Sequence, residues 1–257
     1  MQARDSVILV SGGGSGLGEA TARHFAALGV KGVVLLDLNE ERGRSIAAEL
    51  GSSCLFVKTD IADSAAVDAA VAAAVERFGS VHVALTAAAI PGPSKLLARS
   101  GPIDMAGFDK VLRVNVYGTV NVFRAAAAAM AKNEPNADGE RGLLVGVSSG
   151  AAFEGQIGQV AYSASKGAIV GMTMSLAREL ASLGIRVVTI APGAFETPIY
   201  EAIPDPVRQR MASVLQFPKR FGRASEFALF VEELVRNPMH NARTYRLDGG
   251  VILPPSF

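Results

Sequence analysis

Tyr162 and Lys166 stand four residues apart in Tyr162-Ser163-Ala164-Ser165-Lys166, a spacing that puts a phenol and an ammonium on one face of a helix. A free tyrosine titrates at about 10 and exchanges protons poorly at neutral pH, whereas a nearby cation favours the phenolate. The pair therefore offers a general base for oxidising an alcohol and a general acid for the reverse step. Alone, the spacing is common on helix surfaces, so the reading needs partners. Ser149 is one: it follows the apolar run Leu143 to Val147 and precedes Tyr162 by thirteen residues. At the carboxyl end of a strand its hydroxyl could hold a substrate oxygen as that oxygen changes charge, or simply cap the next turn. Ser148 competes with it for the role.

A second group lies near the start of the chain. Ser11-Gly12-Gly13-Gly14-Ser15-Gly16-Leu17-Gly18 comes directly after an apolar run, and helical spacing begins at once. Glycines let backbone N–H groups and a helix N-terminus approach a pyrophosphate closely, and the candidate contacts are Gly12, Ser15, Gly16, Leu17 and Gly18. The spacing is not G-x-G-x-x-G, and Glu19 stands where a nucleotide triphosphatase loop needs a lysine. Asp37 follows nineteen residues after Gly18, close to the ~20 at which a carboxylate meets the adenosine ribose. Its charge would repel a 2′-phosphate, which favours NAD over NADP. Arg42 and Arg44 stand close enough in sequence to welcome that phosphate instead. Asp60, followed by Ile61, reads equally as a helix cap or an adenine contact.

Side chains so far apart need a scaffold, and the apolar runs predict one. Val7 to Val10, Val33 to Leu36, Leu55 to Val57, Val81 to Leu85, Leu143 to Val147 and Ile185 to Ile190 read as buried parallel strands. Helical spacing fills Glu19 to Leu28, Glu40 to Leu50, Ala65 to Phe78, Phe108 to Ala131 and Val160 to Leu183. Strand and helix alternate, so the expected fold is a single α/β domain over residues 1–257, a Rossmann-type doubly wound sheet with helices on both faces. A seventh strand is expected near Thr244 to Asp248. Ile90 to Asp104 and Lys132 to Gly142 read as surface loops. Pro192 to Pro206, with four prolines, reads as a lid within a substrate-loop insertion near 192–220.

Composition narrows the partners. A chain of 257 residues with 49% hydrophobic content can bury a large core, and a net charge of +1 supplies no field for nucleic acid or an anionic membrane. A small-molecule substrate is the expected partner. One cysteine, Cys54, excludes an intrachain disulfide, and His24, His82 and His240 are too scattered for a local metal motif. No metal is expected. The N-terminal apolar run is too short for a signal-peptide core, so a cytoplasmic location is expected, with the mitochondrial matrix as the alternative.

The glycine turn, Ser149, Tyr162 and Lys166, in this order within one unit, resemble the short-chain dehydrogenase/reductase family over essentially the whole chain. Asn133-Glu134-Pro135, Ala151 to Gln156, Tyr162 to Met172 and Arg246-Leu247-Asp248-Gly249 resemble a branch of it that acts on 3-hydroxyacyl-CoA thioesters and hydroxysteroids. The resemblance implies reversible hydride transfer between NAD and a secondary alcohol. It implies that Ser149 orients the substrate oxygen, that Tyr162 exchanges its proton, and that Lys166 lowers the tyrosine pKa and binds the nicotinamide ribose. Asn115 would hold a water in the proton relay; on helix propensity alone it reads as a surface residue. Ser15, Leu17, Asp37, Asp60, Ile61, Ala87, Phe195 and Thr197 fall on cofactor positions, and Gln156 joins Ser149 and Tyr162 on the substrate side. A homotetramer built through the two long helices is also implied.

The chain departs from the family pattern at Thr86-Ala87-Ala88-Ala89, where Asn-x-Ala-Gly is usual, at Glu196 beside the nicotinamide positions, and at Ser11, where threonine is usual. Two other readings share many of these residues. One is an NADPH-linked 3-oxoacyl carrier-protein reductase, which Asp37 disfavours. The other is a dinucleotide-binding regulatory or assembly subunit without turnover, against which the intact Ser149, Tyr162 and Lys166 set weighs.

Overall fold

The computed structural model describes residues 1–198 and 204–256. Seven parallel strands form one sheet: β1 (Val7–Ser11), β2 (Gly32–Asp37), β3 (Cys54–Lys58), β4 (Val83–Thr86), β7 (Gly142–Val147), β8 (Ile185–Pro192) and β9 (Arg243–Leu247). Their order is β3-β2-β1-β4-β7-β8-β9. A two-stranded hairpin, β5 (Leu97–Ala98) with β6 (Gly101–Pro102), decorates the loop after β4. The helices are α1 (Gly16–Ala27), α2 (Glu40–Leu50), α3 (Ser64–Phe78), α4 (Met105–Leu112), α5 (Gly118–Met130), α6 (Val160–Leu180), α7 (Asp205–Ser213) and α8 (Ala224–Arg236). No described helix is long and apolar enough to cross a membrane.

Strands apolar at every position must be covered on both faces, since successive side chains alternate across a sheet. Val7 and Leu9 of β1 point to one side, where Val67 and Val71 of α3 and Val122 and Ala126 of α5 pack. Ile8 and Val10 point to the other, against Phe25 of α1, Ile46 of α2, and Phe227 and Val231 of α8. Each fully buried Val, Leu, Ile or Phe contributes about 1.5–3 kcal/mol, so these two layers dominate the fold. β1 pairs with β2 on one edge and β4 on the other, and the connections leave it in opposite directions. A crevice therefore opens at the carboxyl ends of β1 and β4, where open α/β sheets hold ligands.

Side-chain caps set several helix starts. Asn39 accepts from Arg42 N at α2, Asp63 from Ala65 N and Ala66 N at α3, and Asp104 from Ala106 N and Gly107 N at α4. Sequence periodicity differs from the structure in several places. The helix expected over Phe108 to Ala131 is interrupted by a π-turn at Arg113–Tyr117, where Gly118 N reaches back to Arg113 O. The helix expected to end at Leu183 stops at Leu180, and a 3₁₀ turn follows, Ala181–Leu183. Gly184 then turns with a positive φ of 69°, and a Cβ there would run into Gly139 O. α8 has no counterpart in the sequence reading, although Phe227, Val231 and Leu234 sit at helical spacing. The last strand is one residue earlier than expected, Arg243–Leu247.

His82 clips the entrance of the sheet. Its Nδ1 accepts from Val7 N at 3.0 Å, its N donates to Val7 O, and its O accepts from Leu143 N. Burial, with the nearby Lys31 charge, pushes its pKa below 6.5, because protonation would cost the Val7 bond and the dry site. A depressed histidine value gives stability that is complete above pH 6.5 and declines as the pH falls below it. The thermal midpoint is expected to drop between about pH 7.5 and 5, and His82→Gln, which keeps an acceptor, is expected to flatten that slope. An identical slope in the variant, followed by circular dichroism, would contradict the assignment.

Candidate active site

At the end of β1 the chain turns tightly because side chains are absent where backbone approaches backbone. Gly12 N donates to Leu36 O at 2.8 Å, and a Cβ on Gly18 would fall onto Gly12 O. α1 begins at Gly16, earlier than the expected Glu19, so its N-terminus opens directly into the crevice. Ser15 at the N-cap makes no capping bond, which leaves the first N–H groups of α1 and the Ser15 hydroxyl for a ligand. Gly12, Ser15, Gly16, Leu17 and Gly18 all line one cleft of about 570 Å³. The uncapped helix start and the Cβ-free cradle fit a dinucleotide pyrophosphate.

The adenosine end of the cleft is equally defined. Asp37 Oδ2 accepts from Gly14 N and Oδ1 from Asn39 N, both at 2.9 Å, which orients the carboxylate and leaves further lone pairs for ribose hydroxyls. Asn39, not Asp37, caps α2. Arg42 is paired with Glu19 and Arg44 with Glu40, so the two guanidiniums suggested as phosphate ligands are engaged elsewhere. Asp60 accepts from Ala62 N, while Asp63 caps α3; the cap alternative for Asp60 therefore falls, and Asp60 and Ile61 line the cleft. Ala87 lines it as well, held by Ala87 N donating to Ser11 O at 3.1 Å. Thr86, in place of the usual asparagine, is buried and its hydroxyl reaches Val145 O. Phe195 and Thr197 form the far wall; Glu196 between them is exposed and does not line the cleft.

β7 and α6 bring the reacting groups to the same place. Lys166, 3% exposed, donates from Nζ to Val147 O at 2.8 Å, and its own O accepts from Ser148 Oγ at 2.8 Å. Those two bonds lock α6 to the end of β7 and commit the Ser148 hydroxyl to Lys166 O, away from a substrate. One turn earlier on α6, the Tyr162 ring lies 5.6 Å from Lys166 Nζ. Burial brings Lys166 down to about 7, since the charged ammonium loses its hydration. Burial also raises Tyr162, and a hydrogen bond with the Ser149 hydroxyl pulls it partly back. The sequence reading expected the cation to lower the phenol; in the cofactor-free protein desolvation is the larger effect. Ser149 both caps and faces the cavity: Oγ accepts from Ala151 N at 3.2 Å, and its proton is directed to the Tyr162 phenol oxygen.

Asn115 is not a surface residue. It is buried in the π-turn, where Nδ2 donates to Ile90 O and to Ser165 Oγ, and Oδ1 accepts from Ile90 N. Ser165 Oγ in turn donates to Tyr162 O. The amide thus joins the loop after β4 to the helix that carries the tyrosine. Gln156 lines a second cavity of about 540 Å³, yet its Nε2 donates to Pro254 O and its Oε1 accepts from Gln159, so the amide serves the C-terminal segment.

That cavity shares Ser149, Tyr162, Ala89, Ile90, Pro192 and Gly193 with the dinucleotide cleft. Its other walls come from Val207 and Met211 of α7, from Leu215, and from Val251 and Leu253. Val207, Met211 and Leu215 lie within the substrate-loop insertion expected near 192–220, although none is singled out there, whereas Val251 and Leu253 lie outside it. Of the lid expected over Pro192 to Pro206, residues 199–203 lie outside the described residues. Among the described residues no cluster of His, Cys, Asp or Glu could hold a metal ion.

A dinucleotide cleft at the switch point of a parallel sheet, meeting a Ser–Tyr–Lys set at a second cavity, defines a nicotinamide-dependent oxidoreductase. Residues 6–207 match the family described as short chain dehydrogenase. The 3-hydroxyacyl-CoA dehydrogenase type-2 of Bos taurus is 46% identical over 251 residues, 97% of this chain and 96% of its own. The crystal structure of 3-hydroxyacyl-CoA dehydrogenase type-2 from Mycobacterium avium superposes with a TM-score of 0.92 at 42% identity, covering 98% of each chain. That of 3-ketoacyl-(acyl-carrier-protein) reductase from Brucella melitensis complexed with NADH gives 0.87 at 30% identity, over 98% of this chain and 100% of the other. The chain belongs to the short-chain dehydrogenase family.

If Asp37 accepts from the ribose, Asp37→Ala removes that acceptor together with a charge that would repel a 2′-phosphate. Hydrogen bonds to charged groups are worth about 1.5–3 kcal/mol, so kcat/KM with NAD is expected to fall by about ten- to a hundredfold while discrimination against NADP shrinks. An unchanged NAD-to-NADP ratio in initial-rate measurements would contradict this placement.

Proposed function

We propose that the protein oxidises secondary alcohols to ketones, and the reverse, with NAD as the hydride carrier, its preferred substrates being 3-hydroxyacyl-CoA thioesters and, after them, hydroxysteroids. The single observation that carries the reading is the wall common to the two cavities: the Tyr162 phenol and the Ser149 hydroxyl lie where a substrate carbon can meet a nicotinamide. The thioester preference draws on the 46% identical bovine relative and the Mycobacterium avium structure. The bound nicotinamide supplies the hydride exchange; the protein supplies position and proton transfer.

In the oxidative direction Ser149 donates to the substrate oxygen and holds it beside the phenol. Tyr162 takes the hydroxyl proton, and Lys166, poised at about 7 by burial, stabilises the resulting phenolate when charged. Asn115 positions Tyr162 through Ser165. Gly12, Ser15, Gly16, Leu17 and Gly18 hold the pyrophosphate, Asp37 the ribose, Asp60, Ile61 and Ala87 the adenine side, and Phe195 and Thr197 the nicotinamide side. Asp37 weighs against NADPH, and with it against the carrier-protein reductase reading. Exposed Tyr117, Val120 and Val160, on the π-turn, α5 and α6, support a homotetramer paired through these elements.

Tyr162→Phe keeps the ring and removes the hydroxyl. NAD binding by isothermal titration calorimetry is expected to survive while turnover of 3-hydroxybutyryl-CoA falls by about 10²–10⁴. Undiminished oxidation would overturn the role. Because burial raises Tyr162, kcat/KM for oxidation in the wild type is expected to climb with pH through the alkaline range, and that for ketone reduction to decline as the phenol loses its proton. Two flat profiles would remove the tyrosine from the proton step.

A further inference from the structure

The C-terminal segment after β9 does not trail away from the molecule. It folds back over the loop that follows Ser149, tied to that loop by three bonds and to β9 by a fourth. Leu253 N donates to Glu154 Oε2 at 3.0 Å, Gln156 Nε2 to Pro254 O at 2.9 Å, Ile157 N to Pro255 O at 2.9 Å, and Arg246 Nη2 to Val251 O at 2.7 Å. Arg246 also pairs with both Glu154 oxygens, at 2.6 and 3.1 Å, and its Nε reaches Asp248 at 2.5 Å. A two-oxygen Arg–carboxylate pair that also receives a backbone N–H fixes direction as well as distance. Thus one guanidinium joins β9, the segment and the loop of the catalytic serine.

What this clamp places beside Ser149 is apolar, with Ser256 the polar member of the segment's lining farther along. Val251 is buried and Leu253 half-buried, and both line the space that holds Ser149 and Tyr162. Leu253 packs against Gly150, the residue after Ser149: a Cβ there would lie 3.6 Å from Leu253 Cδ1. Met211 and Leu215 add to the apolar lining, and among the described lining residues none is charged. A carbon chain attached to the reacting centre must therefore run past the segment, whatever polar group it carries farther out.

We propose that the C-terminal segment is the specificity wall of this site: Leu253, held by the Arg246–Glu154 clamp, sets the length of the aliphatic chain accepted beside Ser149. Glu154 and Arg246 are positioning residues. The inference rests on the secondary-alcohol reading above but not on the thioester.

The test uses the full chain with saturating NAD and two substrate series of matched length, from four to ten carbons: 3-hydroxyacyl-CoA thioesters and unmodified 2-alkanols. A single methylene in an apolar pocket changes kcat/KM by about 10–200-fold. Leu253→Ala is expected to move the long-to-short ratio of kcat/KM upward by at least about tenfold, and Leu253→Phe to move it downward, in every series that turns over. Glu154→Ala, which frees the segment, is expected to flatten the ratio towards uniformity. A merely structural role would lower all rates together and leave the ratio alone. Ratios within about twofold of wild type in both Leu253 variants, with turnover intact, would overturn the inference by itself. If the wild type oxidised neither series, the reading and the inference would fall together; if it oxidised only the alkanols, with the ratio shifting as expected, the thioester preference alone would fall.

Discussion

A lysine ammonium sealed from water at the end of a central strand is the constraint around which the site is organised. Lys166 Nζ has Val147 O as its protein partner, and the lysine's own carbonyl takes the Ser148 hydroxyl. Burying that group without compensation would cost several kcal/mol, and the structure responds by bringing its pKa down to about 7. The same two bonds fix the rotation and height of α6 against β7. Because Tyr162 sits one turn before the lysine on that face, its phenol lies at the carboxyl edge of the sheet, where Ser149 follows β7 by two residues.

The dinucleotide cleft is built independently of α6 and meets it at the edge. The turn after β1 depends on Gly18 lying against Gly12, and on an N-terminus of α1 that no side chain caps. Ala87 N donating to Ser11 O ties the ends of β1 and β4 together, and Asn115 ties the loop after β4 to α6. Cofactor side and proton-transfer side are therefore registered to each other by a few hydrogen bonds between segments distant in sequence. A shift of one would carry the other with it.

The sequence made the strands and the chemistry legible because both are local. Six apolar runs became strands with ends displaced by at most two residues, and the glycine turn, Asp37, and the Tyr162–Lys166 spacing need only a few neighbouring residues to be read. That Ser148 is committed to Lys166 O, and that Asp63 and not Asp60 caps α3, required knowing which hydroxyl and which carboxylate were already engaged. The π-turn escaped because it is set by bonds from Asn115 to Ile90 and Ser165, 25 and 50 residues away. The C-terminal wall escaped for the same reason: Leu253 reaches Glu154 across 99 residues, and Val251-Ile252-Leu253-Pro254 has no periodicity. In the free protein burial raises the Tyr162 phenol, and burial is invisible in a spacing rule.

The central claim is electrostatic: a buried phenol, held high by desolvation, becomes a usable base when a second positive charge arrives beside Lys166. Carbon-13 tyrosine NMR follows this directly, with the Tyr162 signal identified as the one missing from Tyr162→Phe. The account predicts that Tyr162 titrates above 10.0 in the free protein and at a markedly lower pH with NAD bound, the drop being smaller in Lys166→Gln. A Tyr162 signal that titrates at the same pH with and without NAD would contradict it.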